Sequence, residues 1–502
     1  MTSLSVRNVV VVGGGVAGYL AALFIRTFIG ETVNVTVIAA PDVAPMTVGE
    51  STNGPFTGLL NSLGIDRDTL IRECDATIKI ASEFADWTPR GEGHRWVHEF
   101  QPTVTHLGIP LYHYWLQRSR SEAVPRYQDA CFVNSALIEE CRVPFQNEAD
   151  LTDVSFGYHL DGHKLGAVLR DRAAQRGAHL ISAKVVSAKK NGADRIESVL
   201  LDNGEEVHGD FFIDATGFSR RLANLAYPDH PDFRFEPYSD YHFCDRAVYV
   251  TLPSDSPDIR PSTLSTALSS GWVWDIPLND RVSYGYVYSS RHLERAEAER
   301  EFRRFLSLPE ETGVRFLEWM PGRINKAWLQ NCLCIGVSNA FIEPIESLTS
   351  ATLCFELHSL LRHFPAKDFN PSNIDSYCHL IADKSLDNRD FISLHYQTSR
   401  RTDTGFWRDI RYRAKVAPRI SDLINNFATN APLVVDGIYE SKAIFGMFAA
   451  RSYTPTYDLP ILAHLDASGV KNIMDVVQVE RATSRNLYLK HSELIRRVCV
   501  QR

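Results

Sequence analysis

The chain has 502 residues, 44% of them hydrophobic and 23% charged, a composition that indicates a globular protein and excludes a fibre, a mini-protein or a disordered tail. Division by about 150 residues per domain predicts about three domains. The 61 acidic and 53 basic residues give a net charge of −8, which disfavours nucleic acid and membrane surfaces as partners.

An uncharged stretch near the N-terminus, residues 8–25, has the composition of a membrane anchor but contains three adjacent glycines. Because glycines disfavour a continuous helix, we predict instead a buried strand at 9–12, a turn and a helix at 19–28. The turn carries the Gly-x-Gly-x-x-Gly pattern of a dinucleotide site, in which glycines allow a tight turn, the approach of a pyrophosphate and close packing of helix on strand. The predicted cofactor-binding residues here are Gly13, Gly15, Val16, Ala17 and Gly18.

The next predicted strand, 33–38, completes a βαβ unit but lacks the acidic residue that binds a ribose in NAD proteins. Ala39 stands at that position, so Asp42 or Glu50 would have to substitute for it. This absence weakens an NAD site more than a flavin site, since FAD has further contacts along a longer molecule.

Two later segments supply such contacts. Residues 200–217 read as a strand, an Asn-Gly turn and a second strand that ends in Asp214-Ala215-Thr216-Gly217. In FAD proteins of the glutathione-reductase type, an Asp-x-x-Gly here lets the backbone approach the cofactor. The second segment is a short buried strand at 332–336, followed by a helix that should begin between Ser347 and Ser350 and place Leu353, Leu357, Leu360 and Leu361 on one face. The remaining predicted cofactor-binding residues are Val185, Asp214, Gly217, Gly336 and Val337.

Nine cysteines at irregular spacing indicate reduced thiols and a cytoplasmic protein. Cys332 and Cys334 would share one face of a strand as buried apolar residues. No P-loop, zinc-protease or hydrolase motif is present, and we predict no metal site.

Several motifs together resemble the flavin-dependent tryptophan halogenase family. They are the glycine turn, VGEST at 48–52, Lys79, GWVWDIP at 271–277 and FIEPIES at 341–347. The strongest is the Trp-x-Trp-x-Ile-Pro pattern, which ordinary flavin hydroxylases lack. Read alone, Trp272, Trp274 and Ile276 are a bulky wall on one strand face. The resemblance implies that this wall keeps the substrate away from the flavin.

The resemblance also implies the catalytic residues. Read alone, Lys79 between two isoleucines would face solvent, and Glu346 would be a helix-capping residue with Glu343 as a competitor. In the family, the matching lysine hydrogen-bonds hypohalous acid, or forms a haloamine, beside the substrate. The matching glutamate positions the substrate or halogen and can accept the proton lost from the ring, with Ser347 supporting it by hydrogen bonding. Lys79 and Glu346 would then be a charge pair lining one pocket.

The implied reaction uses FAD as FADH2, delivered by a separate flavin reductase, with O2 and chloride or bromide as co-substrates. Hypohalous acid made at the flavin passes through a tunnel to Lys79 and reacts with an electron-rich ring. Leu348 and Thr349 stand where many members have Thr followed by Gly or Ser; their backbone N–H groups remain candidates for halide binding. The segment 445–460 does not match the one that clasps free tryptophan, so we expect an indole or other aromatic larger than tryptophan.

The expected fold class is α/β, an FAD-binding, Rossmann-like fold of the glutathione-reductase type. Its module is discontinuous, formed by residues 1–85, 155–235 and 325–362. A substrate-binding layer, residues 86–154, 236–324 and 363–502, is interleaved with it and ends in a mainly helical part.

Two alternatives stay open at this point. One is a flavin monooxygenase that hydroxylates an aromatic, and the other is a degenerate flavin-binding protein, suggested by Ala39 and Leu348. The oligomeric state is also open, with a homodimer as one arrangement.

Overall fold

The structure is a computed structural model, and it describes residues 5–42, 50–89, 95–102, 104–147, 149, 155–431, 441–451, 453–465 and 468–500. Val48 and Gly49 of the VGEST motif lie outside the described residues, whereas the predicted site residues all lie within them.

The strands within this part of the chain are short and numerous. In chain order they are β1 Asn8–Val12, β2 Asn34–Ala39, β3 Glu50–Ser51, β4 Thr77–Lys79, β5 Ala81–Ala85, β6 Trp96–Glu99, β7 Thr105–His106, β8 Ile109–Pro110, β9 Gly157–Leu160, β10 His179–Ser182, β11 Val185–Lys190, β12 Ile196–Leu201, β13 Glu206–His208, β14 Phe211–Asp214, β15 Phe235–Pro237, β16 Arg246–Pro253, β17 Ser262–Ala267, β18 Gly271–Pro277, β19 Arg281–Tyr288, β20 Arg315–Glu318, β21 Gly322–Ile324, β22 Trp328–Leu329, β23 Cys332–Cys334 and β24 Ala340–Phe341.

The helices become longer and more frequent after residue 347. They are α1 Val16–Phe28, α2 Gly54–Ser62, α3 Arg67–Cys74, α4 Leu111–Ser119, α5 Tyr127–Cys131, α6 Asn134–Glu139, α7 Gly162–Gln175, α8 Arg221–Ala226, α9 Arg295–Leu306, α10 Leu348–Arg362, α11 Pro371–Gln397, α12 Gly405–Tyr412, α13 Pro418–Ala428, α14 Ser441–Ala450, α15 Ser468–Leu487 and α16 His491–Val500.

The chain divides into two compact units, each built from three separate segments. The first unit comprises 1–75, 160–239 and 319–388, and the second comprises 76–159, 240–318 and 389–502. Residues 76–85, which carry Lys79 and which we had assigned to the FAD-binding module, lie in the second unit. Residues 363–388, which we had assigned to the substrate-binding layer, lie in the first.

The centre of the first unit is a six-stranded sheet in the order β10-β2-β1-β14-β23-β22. Its first five strands pair in parallel, and β22 pairs antiparallel with β23. Val9 to Val12 are at most 4% exposed, as expected for a parallel strand covered on both faces. This sheet confirms the α/β fold class, and it sets the carboxyl ends of β1, β14 and β23 side by side at one edge.

The helices that follow these strands explain two sequence patterns. α1 begins at Val16, three residues earlier than predicted, and it is buried from Gly18 to Ile25 because it packs between the sheet and α7. α10 begins at Leu348, within the predicted window, and buries Leu353, Leu357 and Leu360. Leu361, which has the spacing of the same side of α10, is 37% exposed and lies at the margin of the buried face.

The second unit is organised around a mostly antiparallel sheet of seven strands in the order β20-β16-β19-β18-β17-β5-β6. Only β17 and β5 pair in parallel within it. One face packs on α9 through a cluster that includes Val248, Val273, Tyr286 and Phe302. The short strand β4, which carries Lys79, pairs antiparallel with β9 through Thr77 to Lys79 and Gly157 to His159.

All nine cysteines are free thiols, and Cys332 and Cys334 are both buried in the core of the first unit, as predicted. Within the described ranges, no helix combines the length and the apolar character needed to cross a bilayer.

Candidate functional site

The three glycines of the N-terminal turn have different surroundings. Gly13 has φ +128°, and a Cβ there would lie 2.3 Å from the carbonyl oxygen of Ala215, so this backbone requires glycine. A Cβ on Gly18 would lie 1.9 Å from the carbonyl oxygen of Gly13. The absence of a side chain at Gly18 therefore allows α1 to start close against the end of β1. A Cβ on Gly15 would meet no atom of the described residues within 4 Å, so the protein itself gives no reason for a glycine there. The open space over Gly15 is what close approach of an external group to the start of a helix requires.

Asp214 organises the second turn from below. It is fully buried; Oδ1 accepts hydrogen bonds from the N–H and hydroxyl of Thr216 at 2.9 and 2.6 Å, and Oδ2 accepts from the N–H of Ala223 at 2.9 Å. These bonds hold the turn that presents Gly217, which has φ +66° and space around its Cα within the described structure. The backbone near Gly217 is therefore the part of this turn that can contact a ligand, and Asp214 positions that backbone.

The third turn, Gly336 to Asn339, lies against the first. A Cβ on Gly336 would lie 3.3 Å from Ala17 Cβ, so the strand-end turns of β1 and β23 approach each other closely, with Val337 beside this contact. Three segments that are far apart in sequence thus meet at one sheet edge.

Sequence reasoning missed a buried carboxylate beneath this third turn. Glu356, on α10, accepts hydrogen bonds from Gly336 N–H and Asn339 Nδ2, each at 2.7 Å. Burial raises the pKa of Glu356 to about 7. A glutamate among the apolar residues of a predicted helix indicates a buried carboxylate. Its hydrogen-bond partners, however, are 17 and 20 residues away, so the sequence pattern does not identify them.

The other predicted cofactor-binding residues, three of them near the ribose position and the fourth Val185, lie in different environments. Ala39 ends β2, and its Cβ lies against Gly14. Asp42 is exposed and bonded to Lys184 Nζ at 2.7 Å, and this hydrogen bond lowers the pKa of Asp42. Glu50 is half-buried in β3, and burial raises its pKa to about 7. Val185 is buried, and its carbonyl accepts a hydrogen bond from Arg221 Nε at 3.0 Å.

Glu346 and Ser347 occupy a strained turn directly before α10. Both have left-handed backbone, with φ +61° and φ +57°, and both are buried, at 8% and 7% exposure. Such a conformation costs non-glycine residues about 1–3 kcal/mol and is concentrated at functional sites. Ser347 Oγ donates to Ser51 Oγ at 2.9 Å, so FIEPIES and the end of VGEST are joined within the first unit. Glu343, the competing carboxylate, is buried at 2% exposure.

Leu348 and Thr349 are the first two residues of α10. N–H groups at this end of a helix have no partner within the helix and carry its positive dipole end. Leu348 is 5% exposed, and its side chain belongs to the core of the unit.

Lys79 lies in the second unit and is 1% exposed, so it does not occupy the solvent side of its strand. Its Nζ lies 5.0 Å from the ring centroid of Phe100, in the range of a cation–π contact. His98, two residues earlier, contacts the rings of both Phe100 and Trp96. Sequence reasoning missed Phe100 and His98, although the alternation in Trp96-Val97-His98-Glu99-Phe100 marks them as one strand face.

The tryptophan wall also lies in the second unit, on β18. Trp272, Trp274 and Ile276 alternate along the strand and are at most 6% exposed. Trp274 Nε1 donates to Ser283 Oγ at 3.2 Å, and its ring lies across Gly285 on the neighbouring strand. A Cβ on Gly285 would lie 2.1 Å from the ring.

Gly285→Ala is therefore expected to destabilise the protein by about 1–3 kcal/mol, because the added methyl must displace the Trp274 ring. Urea unfolding monitored by tryptophan fluorescence measures the change. Gly313→Ala is the matched control, since its Cβ would meet no described atom within 4 Å. Equal stability of the two variants would contradict the packing of Trp274 on Gly285.

Comparison with known proteins places these features in one family. The family model named tryptophan halogenase matches residues 8–467. The chain belongs to the tryptophan halogenase family. The halogenase is 31% identical to the tryptophan 7-halogenase RebH of Lentzea aerocolonigenes over 96% of each chain.

Solved structures agree in fold. BrvH, a flavin-dependent halogenase from Brevundimonas sp. BAL3, is 28% identical to this halogenase, with a TM-score of 0.89 over 99% of both chains. The tryptophan 6-halogenase SttH of Streptomyces toxytricini is 27% identical, with a TM-score of 0.91 over 98% of this chain and 99% of the other. The halogenase is thus a flavin-dependent enzyme with an FAD-binding fold.

The residues of the first unit fit FAD. The open space over Gly15 and the backbone at Gly217 suit a close-lying dinucleotide, and the start of α1 suits its negative charge. The two predicted catalytic residues belong to different units, Glu346 to the first and Lys79 to the second.

Proposed function

We propose that this halogenase uses FADH2, O2 and chloride or bromide to halogenate an electron-rich aromatic ring, an indole or another aromatic larger than free tryptophan. The observation that carries the proposal is Lys79, which is buried beside the ring of Phe100. A strand lysine ordinarily faces solvent, whereas Lys79 is enclosed, and buried ionisable groups are concentrated at functional sites.

Lys79 would act as a hydrogen-bond donor to hypohalous acid. Its Nζ can donate to the oxygen of HOX, which draws electron density from the halogen and makes it more electrophilic toward the ring. The neighbouring aromatic face of Phe100 favours both the cation and a flat substrate.

As the carbon–halogen bond forms, the O–X bond of HOX breaks and the released hydroxide takes up a proton to leave as water; Glu346 would accept the proton that the ring then loses. Its left-handed backbone supports this assignment, because the surrounding turn holds the backbone of Glu346 in a conformation that costs free energy, a feature concentrated at functional sites. Ser347, bonded to Ser51, would keep the turn in place. Glu343 lacks this backbone feature, so we assign the role to Glu346.

Halide would be held by the backbone N–H groups of Leu348 and Thr349 at the start of α10. Backbone donors do not depend on the side chain, so the replacement of Thr-Gly or Thr-Ser by Leu-Thr is compatible with the role. FAD, once bound and reduced, would supply two electrons to O2, and O2 is the oxidant that takes two further electrons from halide to give hypohalous acid and water.

The segment that includes α14 packs its aromatic rings into the second unit. Phe445 stacks on Tyr112 with ring centroids 4.3 Å apart, and Phe448 packs on Phe427 at 4.1 Å. All four rings are buried, so these side chains serve the core of the second unit. These rings are committed to core packing, and the proposal of a substrate other than free tryptophan rests on the sequence of 445–460, which does not match the segment that clasps free tryptophan.

A separate flavin reductase would supply FADH2, and the nine free thiols favour a reducing, cytoplasmic location. The homodimer remains an arrangement to be tested by light scattering.

The deciding experiment incubates the protein with FADH2, O2, bromide or chloride, and a panel of indole, phenol, tryptophan and tryptophan-containing peptides. Mass spectrometry is expected to find a product in which halogen replaces hydrogen. A product that gains one oxygen and no halogen would instead indicate a hydroxylase. Turnover of free tryptophan alone would overturn the substrate proposal, and absence of product with every substrate and halide would support a degenerate flavin-binding protein.

A further inference from the structure

The strand that carries Lys79 is held by a histidine from the far end of the chain. Ile78 N–H, next to Lys79, donates a hydrogen bond to His491 Nε2 at 2.8 Å, across 413 residues of sequence. Because β4 pairs with β9 on its other edge, the imidazole of His491 takes the place of a further strand.

The hydrogen bonds fix the tautomer of His491. Nε2 accepts from Ile78, so the ring proton lies on Nδ1 and is donated to the carbonyl oxygen of Ile259 at 3.1 Å. His491 is fully buried, and burial lowers its pKa to about 4. The neutral ring thus bridges β4 to the loop before β17.

A second set of bonds ties the same strand to the tryptophan wall. Thr77 Oγ1 donates to the carbonyl oxygen of Pro277, the last residue of β18, at 2.7 Å. Thr77 Oγ1 also lies 3.3 Å from His159 Nδ1, and His159 Nε2 lies 2.8 Å from Thr263 Oγ1. Both residues that precede Lys79 are therefore bonded to buried polar groups of the second unit.

We propose that His491 is a positioning residue for Lys79: its acceptor nitrogen fixes the Ile78 peptide and thereby the direction in which the lysine side chain leaves β4. This inference rests on the proposed catalytic role of Lys79. It assigns His491 no contact with substrate, halide or flavin. A displacement of about 1 Å in a reacting group costs about a hundredfold in rate, so loss of this bond affects transfer of halogen to the ring.

His491→Leu tests the proposal, because leucine fills the space without offering an acceptor. Two products are measured in parallel: halogenated aromatic, and hypohalous acid caught by a soluble β-diketone trap. We expect the halogenated product to fall about tenfold or more. The total oxidised halide and the affinity for FAD should stay unchanged, so the trap should collect what the substrate loses.

Two conservative variants provide the rescue. Glutamine at 491 reaches far enough to place its Oε1 near the Ile78 N–H, whereas asparagine is one methylene shorter. We expect His491→Gln to recover most of the product ratio and His491→Asn to resemble His491→Leu. This pair decides the question even where His491→Leu fails to fold, and equal ratios for Gln and Asn would overturn the proposal.

His242→Leu is the matched control. His242 is also buried in the second unit and also bonds to a main-chain carbonyl, that of Arg389 at 3.0 Å, on α11 and not on β4. The His242→Leu substitution should lower stability without changing the ratio of halogenated product to trapped hypohalous acid. An unchanged ratio in folded His491→Leu, or a ratio that shifts equally in His242→Leu, would overturn the positioning role.

The failure of this inference is distinguishable from the failure of the proposed function. If Lys79→Met halogenates normally, the catalytic role of Lys79 is wrong whatever His491 does. If Lys79→Met is inactive and His491→Leu is normal, only the positioning role is wrong.

Discussion

Lys79→Ala is expected to lower halogenation about a thousandfold while oxidation of halide to hypohalous acid continues, because the variant keeps the first unit intact and removes the donor that activates the halogen. Lys79→Met should show the same loss with less disturbance, since methionine fills much of the buried volume beside Phe100. Product is measured by mass spectrometry, and hypohalous acid by the β-diketone trap.

The control for this prediction is a second buried lysine. Lys384 is 4% exposed, lies on α11 and has its Nζ 6.0 Å from the ring centroid of Phe355. Lys384→Met should retain halogenation, because the change removes a buried charge outside the proposed chemistry. If Lys79→Met retained product, or if it lost hypohalous acid and product in equal measure, Lys79 would not be the residue that transfers halogen.

Gly15→Ala is expected to weaken FAD binding about 10- to 100-fold, equivalent to about 1.4–2.8 kcal/mol, without destabilising the flavin-free protein. Among the residues that the structure describes, none occupies the space over Gly15, and its φ of −89° is accessible to alanine. The added methyl group clashes with none of the described residues, so we expect it to act on a bound molecule. Titration of FAD fluorescence measures the affinity, and thermal unfolding of the flavin-free protein measures the stability.

Two further glycines make the result interpretable. Gly166→Ala, in α7, also adds a methyl group in open space and should leave FAD affinity unchanged. Gly18→Ala should destabilise the flavin-free protein by about 3 kcal/mol, because its Cβ would collide with the backbone of Gly13. Normal FAD affinity in Gly15→Ala would show that the cofactor does not approach the start of α1.

The sequence was most informative where short-range chemistry decides the structure. The glycine turn, the β-branched run before it and the buried pair Cys332 and Cys334 each report on residues within one or two positions, and the structure confirms them. The three cofactor-binding motifs, taken together, predicted that the three strand ends converge. The order of the strands did not, because pairing depends on crossovers that no local pattern records.

The environment of Lys79 shows why part of the site escaped prediction. Alternation in 76–81 indicates a strand, but it cannot say that both edges of β4 are bonded to residues more than 70 positions away, such as His159 and His491. Glu356 escaped for the same reason, since its partners belong to another turn. Leu361 shows a related limit, because helical spacing does not say where the buried face of a helix ends.

The order of strands in the first unit has a consequence for synthesis of the protein. β1 and β2 emerge early, but β14, the other neighbour of β1, ends at Asp214, about 200 residues later, and β23 ends only at Cys334. At about 5–20 residues per second, the open edge of β1 waits about 10–40 s on the ribosome for its partner. An apolar parallel strand exposed for that long invites wrong pairing. Yield of active protein should therefore respond to chaperone supply and growth temperature more than to the stability of the finished fold.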